Sequence, residues 1–522
     1  MKKFISCILI IVVIFIPAVV SANPKTDLFW DKAAGNIDAR FECAKNSEPE
    51  LIAFIRQMPK GADLHNHLSG ATYSDYLLDS AEKNGLNYDL GTNLFFSPND
   101  PKYKPVNPIT ISQLESNAVY LAQYLNIYSM RGWYPNTTNG HDQFFNTFNY
   151  MSSAKRTSDD MLLEVINRNI YENVKYLELM TNSLPNDYIN LFTNTAPGFD
   201  INKLDEAYNQ AMEVIKNNQS VVNTSIKSLL DAREKMLADS GISIGPGKDI
   251  EVNYIQQLYR STNDMRSFFI TAFYSVYATK VDKRIVGVNI VQAEDTPYSR
   301  KYFDAEMKIM DYIWNKMGKP SFAIHAGELD LNGSPVEPME DRISTTIQKG
   351  HALRIGHGVS IAWEKNVPKL LKEMKEKNIL VEICLSSNES ILGVEDEEHP
   401  FIMYRKAGVK TALSTDDEGV SRGNLTEEYV KAIQRYDLSY EDVKELSRNS
   451  LEYSFLPGQS LYINGDYTKI RKEFEKIWNV NYKITAKVQK LLAENPKMER
   501  EYMLERAYAM FENKLLTGTF GD

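Results

Sequence analysis

The chain has 522 residues, enough for two or three average domains or for one large barrel with insertions, so core size does not limit the fold. Its 69 acidic residues outnumber 59 basic ones, the formal net charge is -10, and no Lys/Arg-rich run occurs. This balance argues against a nucleic-acid partner or an anionic membrane surface and suits a soluble protein with a small-molecule ligand.

Lys2 and Lys3 form a basic start, Phe4 to Val20 is almost wholly apolar, and Val20-Ser21-Ala22 supplies small residues for cleavage before Asn23. Residues 1–22 are therefore expected to be a cleaved signal peptide, making the mature protein secreted or periplasmic. The alternative is an uncleaved anchor, because the apolar run is close to the ~18-residue lower limit for spanning. No later apolar run is long enough to span a bilayer, so no stable membrane anchor is expected after cleavage. Cys7 would leave with the signal; Cys43 and Cys384 would remain, too few for a disulfide scaffold, and are expected not to pair. Residues 23–57 read as an amphipathic helical arm with Leu51, Ile52, Phe54 and Ile55 on one face. Such an arm could dock on the rest of the fold or on a second copy of the chain, which leaves a homodimer open.

Met58-Pro59-Lys60-Gly61 then leads into a short strand, Ala62 to His67. Alternate side chains of a strand share a face, so His65 and His67 point into the same space and fit a transition-metal site, most often zinc. Structural histidines are the alternative, weakened by the scarcity of histidine, seven in all, with two at H-x-H spacing. From about 71 to 150 the text is irregular, with loop chemistry at Phe95 to Pro108, a helical stretch from Ile111 to Tyr128 and a turn at Pro135 to Gly140. It reads as an insertion over one barrel face, centred on 81–140. The Phe144, Phe145, Phe148 cluster after His141 suits packing, or an apolar pocket wall for a flat base.

Strand candidates recur at Lys175 to Met180, Ile250 to Ile255, Ile285 to Val291, Ser321 to Ala326, Arg354 to Gly356, Ile379 to Cys384 and Val409 to Ser414. With Ala62 to His67 these make eight in a β-then-α order, the pattern of an α/β fold of the (β/α)8 TIM barrel type over about 58–455. Residues 186–247 exceed one crossover and read as a helical elaboration, and 456–522 as a helical extension packed on the barrel.

Barrel enzymes carry their chemistry at the C-terminal ends of the strands. Here those ends carry His325-Ala326-Gly327-Glu328, Arg354-Ile355-Gly356-His357-Gly358 and Ser414-Thr415-Asp416-Asp417. A single strand-end histidine is more often a hydrogen-bonded core residue, and an Asp after a strand is often a turn or helix cap. Their joint occurrence with the H-x-H makes His65, His67, His325 and Asp416 a plausible three-nitrogen, one-oxygen set for one metal ion. Zinc would lower the pKa of bound water toward ~7. A second histidine, His357, and a protonated carboxyl, Glu328, could then serve hydrolysis of an amidine-like ring carbon, or of an ordinary amide or ester. The H-x-E and P-C-x-x-C signature of cytidine-type deaminases does not occur. Val291-Gln292 offers no lysine for a carbamate-bridged two-metal site.

The series Met58 to His67, H-A-G-E at His325 to Glu328, R-I-G-H-G at Arg354 to Gly358 and S-T-D-D at Ser414 to Asp417 resembles the motifs of the adenosine deaminase family. Met58 to Gly61, Asp142 to Phe148, Tyr176 to Leu179 and the signal-like start are more similar to its secreted, growth-factor-type branch. The resemblance covers about 58–455 and implies a zinc barrel converting adenosine or 2'-deoxyadenosine to inosine or 2'-deoxyinosine and ammonia. It implies one zinc ion held by His65, His67, His325 and Asp416, and proton donation from Glu328 to purine N1. It also implies that His357 orients and deprotonates the water and that Asp417 bonds purine N7. Three positions depart from it. Ser69 stands where an acidic residue holds the ribose 5'-hydroxyl, Gln292 where a glycine backbone meets purine N3, and Glu418 where a proline often follows the Asp pair. Ser69 and Gln292 leave another purine or modified nucleoside open as substrate, and a non-catalytic extracellular binding protein is the remaining alternative. His351 reads as surface or packing, His399-Pro400 as a loop entering a helix, and Ser386-Ser387-Asn388 as a capping turn or a substrate contact.

Overall fold

Runs such as Ile285–Val291 and Leu380–Ile383 are nearly continuous in apolar residues, which suits parallel strands covered on both faces. The computed structural model describes residues 28–518 except 32–34, 134–138, 155–156 and 183. The expected signal peptide and most of the turn at Pro135 to Gly140 lie outside the described residues. In chain order the strands are β1 (Lys60–His67), β2 (Asn87–Asp89), β3 (Leu94–Phe96), β4 (Pro108–Ile109), β5 (Val174–Thr181), β6 (Glu251–Tyr259) and β7 (Ile285–Val291). Then follow β8 (Phe322–Ala326), β9 (Arg354–His357), β10 (Leu380–Ile383), β11 (Lys410–Leu413), β12 (Tyr462–Ile463) and β13 (Asp466–Ile470).

Eight of these lie in one sheet in the order β1-β5-β6-β7-β8-β9-β10-β11, every pair parallel. The sheet's two outer strands meet at one place. Asp416, just past β11, bridges Asn66; its N–H donates to the His65 carbonyl at 2.8 Å, and the His67 N–H donates to its carbonyl at 3.2 Å. The barrel thus closes through the ends of the strands that bear the H-x-H and the Asp pair, and with the helices between strands it is a TIM barrel. Val288, Ile290, Ile324, Ile355 and Val381 are fully buried between strands and helices. Inside the barrel the Arg354 guanidinium joins Glu178 at 2.7 Å and Glu382 at 2.6 Å and lies 3.8 Å from the Phe455 ring. Arg354 is the kind of charge that remains buried because it is paired on both sides.

Two regions differ from expectation. Within the insertion, β2, β3 and β4 form a small antiparallel sheet where the sequence suggests loops, because strands of two or three residues are too short to show alternation. The helical stretch there breaks at Asn117, whose side chain accepts from the N–H groups of Val119 and Tyr120 and starts a second helix. Beyond residue 455, β12 and β13 form a hairpin ahead of the helices Ala486–Ala493 and Pro496–Thr517. Its Asn464-Gly465 tip has φ of 55° and 70°, the left-handed pair that a two-residue hairpin turn requires. The 186–247 region contains the helices Leu204–Asn217 and Gln219–Asp239, the second buried through Val222, Ile226, Leu230 and Leu237. Residues 37–57 form two helices, Ile37–Lys45 and Glu48–Gln57. Cys43 and Cys384 are both free thiols. Among the described residues no helix is long and apolar enough to cross a membrane.

Candidate active site and metal centre

Period-two alternation along β1 turns His65 and His67 into the barrel mouth. Asn66 faces the other way, donating to Thr415 at 3.0 Å and Glu418 at 2.9 Å. β8 brings His325 to them, and the chain after β11 brings Asp416. These four buried side chains offer one ligand atom each within 4.8 Å of one another.

The far sides of the three rings are held by acceptors. His65 Nδ1 lies 2.7 Å from a Glu382 carboxylate oxygen, His67 Nδ1 2.6 Å from Gln257 Oε1, and His325 Nδ1 2.9 Å from Asn289 Oδ1. The Asn289 oxygen also accepts the His325 backbone N–H at 3.2 Å, which settles the orientation of that amide. Each Nδ1 therefore carries its ring proton, and the Nε2 lone pairs turn inward. His67 Nε2 and His325 Nε2 stand 3.2 Å apart, and Asp416 Oδ1 is 3.3 Å from His67 Nε2 and 3.5 Å from His65 Nε2. Facing lone pairs beside a carboxylate call for a cation at their centre, so the donor set fits a divalent metal of the zinc class. Positive charge is favoured at this point: burial opposes a charge on His65, yet Asp416 and Glu382 outweigh it and push that imidazole up to about 10. Burial, reinforced by the neighbouring imidazoles, holds His325 well below the ordinary histidine range. Ser387 Oγ fixes the other oxygen of Asp416 at 2.6 Å.

Close approach makes room for this cluster. A Cβ on Gly356 would lie 2.7 Å from His65 Cε1, so β9 can pass His65 only with glycine there. His357 and Asp416 adopt φ of 67° and 59°, a left-handed conformation costing about 1–3 kcal/mol in non-glycine residues, and it turns both side chains into the mouth.

Glu328 lies just past β8, its Oε1 3.7 Å from His357 Nε2. Burial, then the charges of Asp416 and Glu294, hold the Glu328 carboxyl well above the usual carboxylate range, so at neutral pH it is a proton donor. Its N–H donates to Glu294 Oε1 at 2.9 Å. Glu294 is clasped by Arg260 at 3.2 Å and Arg342 at 3.3 Å, and Arg260 also donates to the His325 carbonyl at 2.7 Å.

His67, His325, Asp416 and Glu328 form the floor of a cavity of about 450 Å³, walled by Phe144, Phe145, Phe148, Tyr259 and Ile391. Asp417 stands at one side, packed so closely on Gly70 that a Cβ there would fall 1.7 Å from its Oδ1. Ser69 and Gln292 also line the cavity. Gln292 has a φ of 81°, and its side chain turns to accept the Ser261 N–H at 3.0 Å. At the mouth, His141 lies 3.2 Å from Asp295 and 3.1 Å from Asp142, and those hydrogen bonds raise its imidazole above the ordinary range. Glu418 is buried and joined to Arg168 at 2.8 Å.

The structure thus brings His65, His67, Ser69, Gln292, His325, Glu328, His357, Asp416 and Asp417 together at one barrel mouth. Sequence reasoning passes over the groups behind them: Glu382, Gln257 and Asn289, and also His399, which is buried and bonded to Asn388 at 3.0 Å. His399 is therefore part of the site's support and not merely a loop entering a helix. Its scarcity as a histidine was the only signal available. His351 stacks on Trp314 at 3.8 Å, a packing role.

The sequence profile of the adenosine deaminase family matches residues 134–461. The chain belongs to the adenosine deaminase family. An adenosine deaminase of Clostridium botulinum (strain Okra / Type B1) is 24% identical over 416 residues, covering 80% of this chain and 98% of that protein. One from Enterococcus faecalis (strain ATCC 700802 / V583) is 37% identical over 152 residues, 29% of this chain and 41% of that protein. Among solved structures, an ADAL–IMP complex matches with a TM-score of 0.50 and 20% identity, over 78% of this chain and 94% of that one. The Arabidopsis N6-mAMP deaminase matches with a TM-score of 0.50 and 19% identity, over 77% and 95%. These structural likenesses are likenesses of fold. As a member of this metal-dependent family the chain is a hydrolytic deaminase acting on a small molecule, and the binding-protein alternative falls away.

Gly356→Ala is expected to displace His65 and weaken metal binding about 10–100-fold, the cost typical of disturbing a ligand's support. Metal titration against a chelator of known affinity checks it, and unchanged affinity would contradict the packing argument.

Proposed function

We propose that this deaminase uses one zinc ion to convert adenosine and 2'-deoxyadenosine to inosine and 2'-deoxyinosine with release of ammonia, and that it does so outside the cytoplasm after export on the signal-like residues 1–22. The observation that carries the reading is a protonated carboxyl, Glu328, beside a centre of three inward imidazole lone pairs and Asp416, under an aromatic-walled cavity. In this reading His65, His67, His325 and Asp416 hold the ion. Zinc bound there supplies a water activated near neutral pH. Glu328 donates its proton to purine N1, making the adjacent ring carbon electrophilic. Asp416 stays ionised beneath that carbon, where burial opposes its charge but His65 and the other imidazoles hold its carboxyl far below the usual range. His357 faces the attacking water, Asp417 receives purine N7, and Phe144, Phe145 and Phe148 exclude bulk water from the base.

The cavity favours an uncharged nucleoside over a nucleotide. Among the described residues no Lys or Arg lines it, and its mouth carries Asp142 and Asp295 around His141. A phosphate there would meet two carboxylates, which already pair the single imidazole of His141, and no guanidinium or ammonium to bind it. A second reading, a modified purine nucleoside, is favoured by one observation: Gln292 and Ser69 line the wall where the base edge and sugar would sit.

With zinc, an absorbance assay is expected to give a kcat/KM for adenosine at least about 100-fold above that for AMP, reflecting about 3 kcal/mol for an unpaired buried charge. Equal rates on AMP, or no turnover of either adenosine or 2'-deoxyadenosine, would contradict the reading. Glu328→Gln is expected to lower kcat by about 10²–10⁴ while retaining the metal. The exported protein should have the mass of a chain beginning at Asn23; a mass retaining residues 1–22 would contradict export by cleavage.

A further inference from the structure

Four buried histidines crowd the floor of the barrel mouth, and their outer nitrogens are not wired alike. For His65, His67 and His325 the Nδ1 meets an oxygen acceptor. For His357 it meets the side-chain amide of Asn388, at 3.0 Å. Which end of that amide faces the ring follows from the groups behind it. The Phe401 backbone N–H, which can only donate, gives its hydrogen to His399 Nδ1 at 3.2 Å. His399 is 3% exposed, and burial, then the charge of Arg435, push its imidazole down to about 4, so it is neutral and has one ring proton. With Nδ1 accepting, that proton is on Nε2, which lies 3.0 Å from Asn388 Oδ1. The amide oxygen is thus engaged by His399, and the amide NH2 is the end that donates to His357 Nδ1. The opposite polarity would set the Phe401 N–H against an N–H of His399.

We propose that His399 and Asn388 form a positioning relay that keeps the proton of neutral His357 on Nε2, so that His357 meets the attacking water as a hydrogen-bond donor and not as its base. Neither relay residue is among those lining the cavity, and both are buried, so they act through His357 and not on the substrate. The consequence for rate rests on the deaminase reading above; the tautomer itself does not. It departs from the role that family resemblance implies for His357. A proton held on Nε2 stabilises negative charge on the attacking oxygen as it develops, and the proton that oxygen gives up passes to the neighbouring Asp416 carboxylate. It also keeps His357 from competing as an additional ligand for the ion, because its inward nitrogen has no free lone pair. The three ligand histidines and His357 therefore have opposite tautomers, each set by the group behind the ring.

The test uses the zinc-loaded full chain with 15N-labelled histidine, reading the ring nitrogens by long-range 1H–15N correlation without substrate. His357, assigned by its loss in His357→Gln, should show a protonated Nε2 and an unprotonated Nδ1. Asn388→Asp, isosteric with the wild type, offers acceptors to both neighbours and should move the His357 proton to Nδ1, lowering kcat about 10–100-fold with KM changed less than about twofold. His399→Phe should lower kcat similarly, and His399→Gln, which keeps a donor toward Asn388, should recover most of the loss. A wild-type His357 protonated on Nδ1 overturns the proposal whatever the substrate proves to be. Full kcat in Asn388→Asp, with the proton moved, overturns the donor role. If adenosine is not turned over, the spectrum still decides the tautomer, so failure of the substrate assignment and failure of the relay are separable.

Discussion

Three imidazole nitrogens turned inward by the acceptors behind them govern the rest of this site. Were Glu382, Gln257 and Asn289 donors, the ring protons would occupy the centre and no cation could enter. Because they are acceptors, lone pairs 3.2 Å apart face each other beside Asp416, a geometry that is repulsive alone and attractive around a positive ion. The fold is arranged to tolerate this. Asp416 closes the barrel with its backbone while lending its carboxylate to the centre, and Arg354 holds Glu382 from below, so the strand pairing and the ligand field share parts.

The same charge arrangement separates the roles of the carboxyl groups. Asp416, among imidazoles, is held ionised; Glu328, two residues past β8 and buried near other carboxylates, is held protonated. Two acids of ordinary intrinsic strength become a ligand and a proton donor through their surroundings. At the same rim His357, Asp416 and Gln292 all have left-handed backbone at barrel strand ends. The glycine expected by family resemblance at position 292 would adopt its φ of 81° freely; the glutamine there bonds the Ser261 N–H and shapes the cavity rim.

Much of this was legible in the sequence because the signals are local. The alternation of His65 and His67, the apolar run into His325 and Glu328, and the two glycines around His357 each fit within a few residues, and the eight barrel strands follow from similar runs. What stands behind them was not legible. Glu382 is 317 residues from His65, and Gln257 is 190 from His67, so no spacing rule connects them. His399 was read as a loop residue for the same reason: its importance lies in one amide between it and His357. The short strands β2 to β4 escaped because they are stabilised by the aromatic cluster around Tyr88, Phe95 and Tyr128, not by their own pattern. The β12–β13 hairpin is a different case, since Asn464-Gly465 is a local turn signal that the helical reading of the tail overrode.

Anomalous diffraction at the zinc absorption edge, from crystals of the metal-loaded protein, tests the central claim most directly. The account predicts a single strong peak per chain, bonded to the Nε2 atoms of His65, His67 and His325 and to Asp416, with His357 outside bonding distance. A second metal peak in the mouth, an ion bonded through any Nδ1, or no peak among these four residues would contradict it.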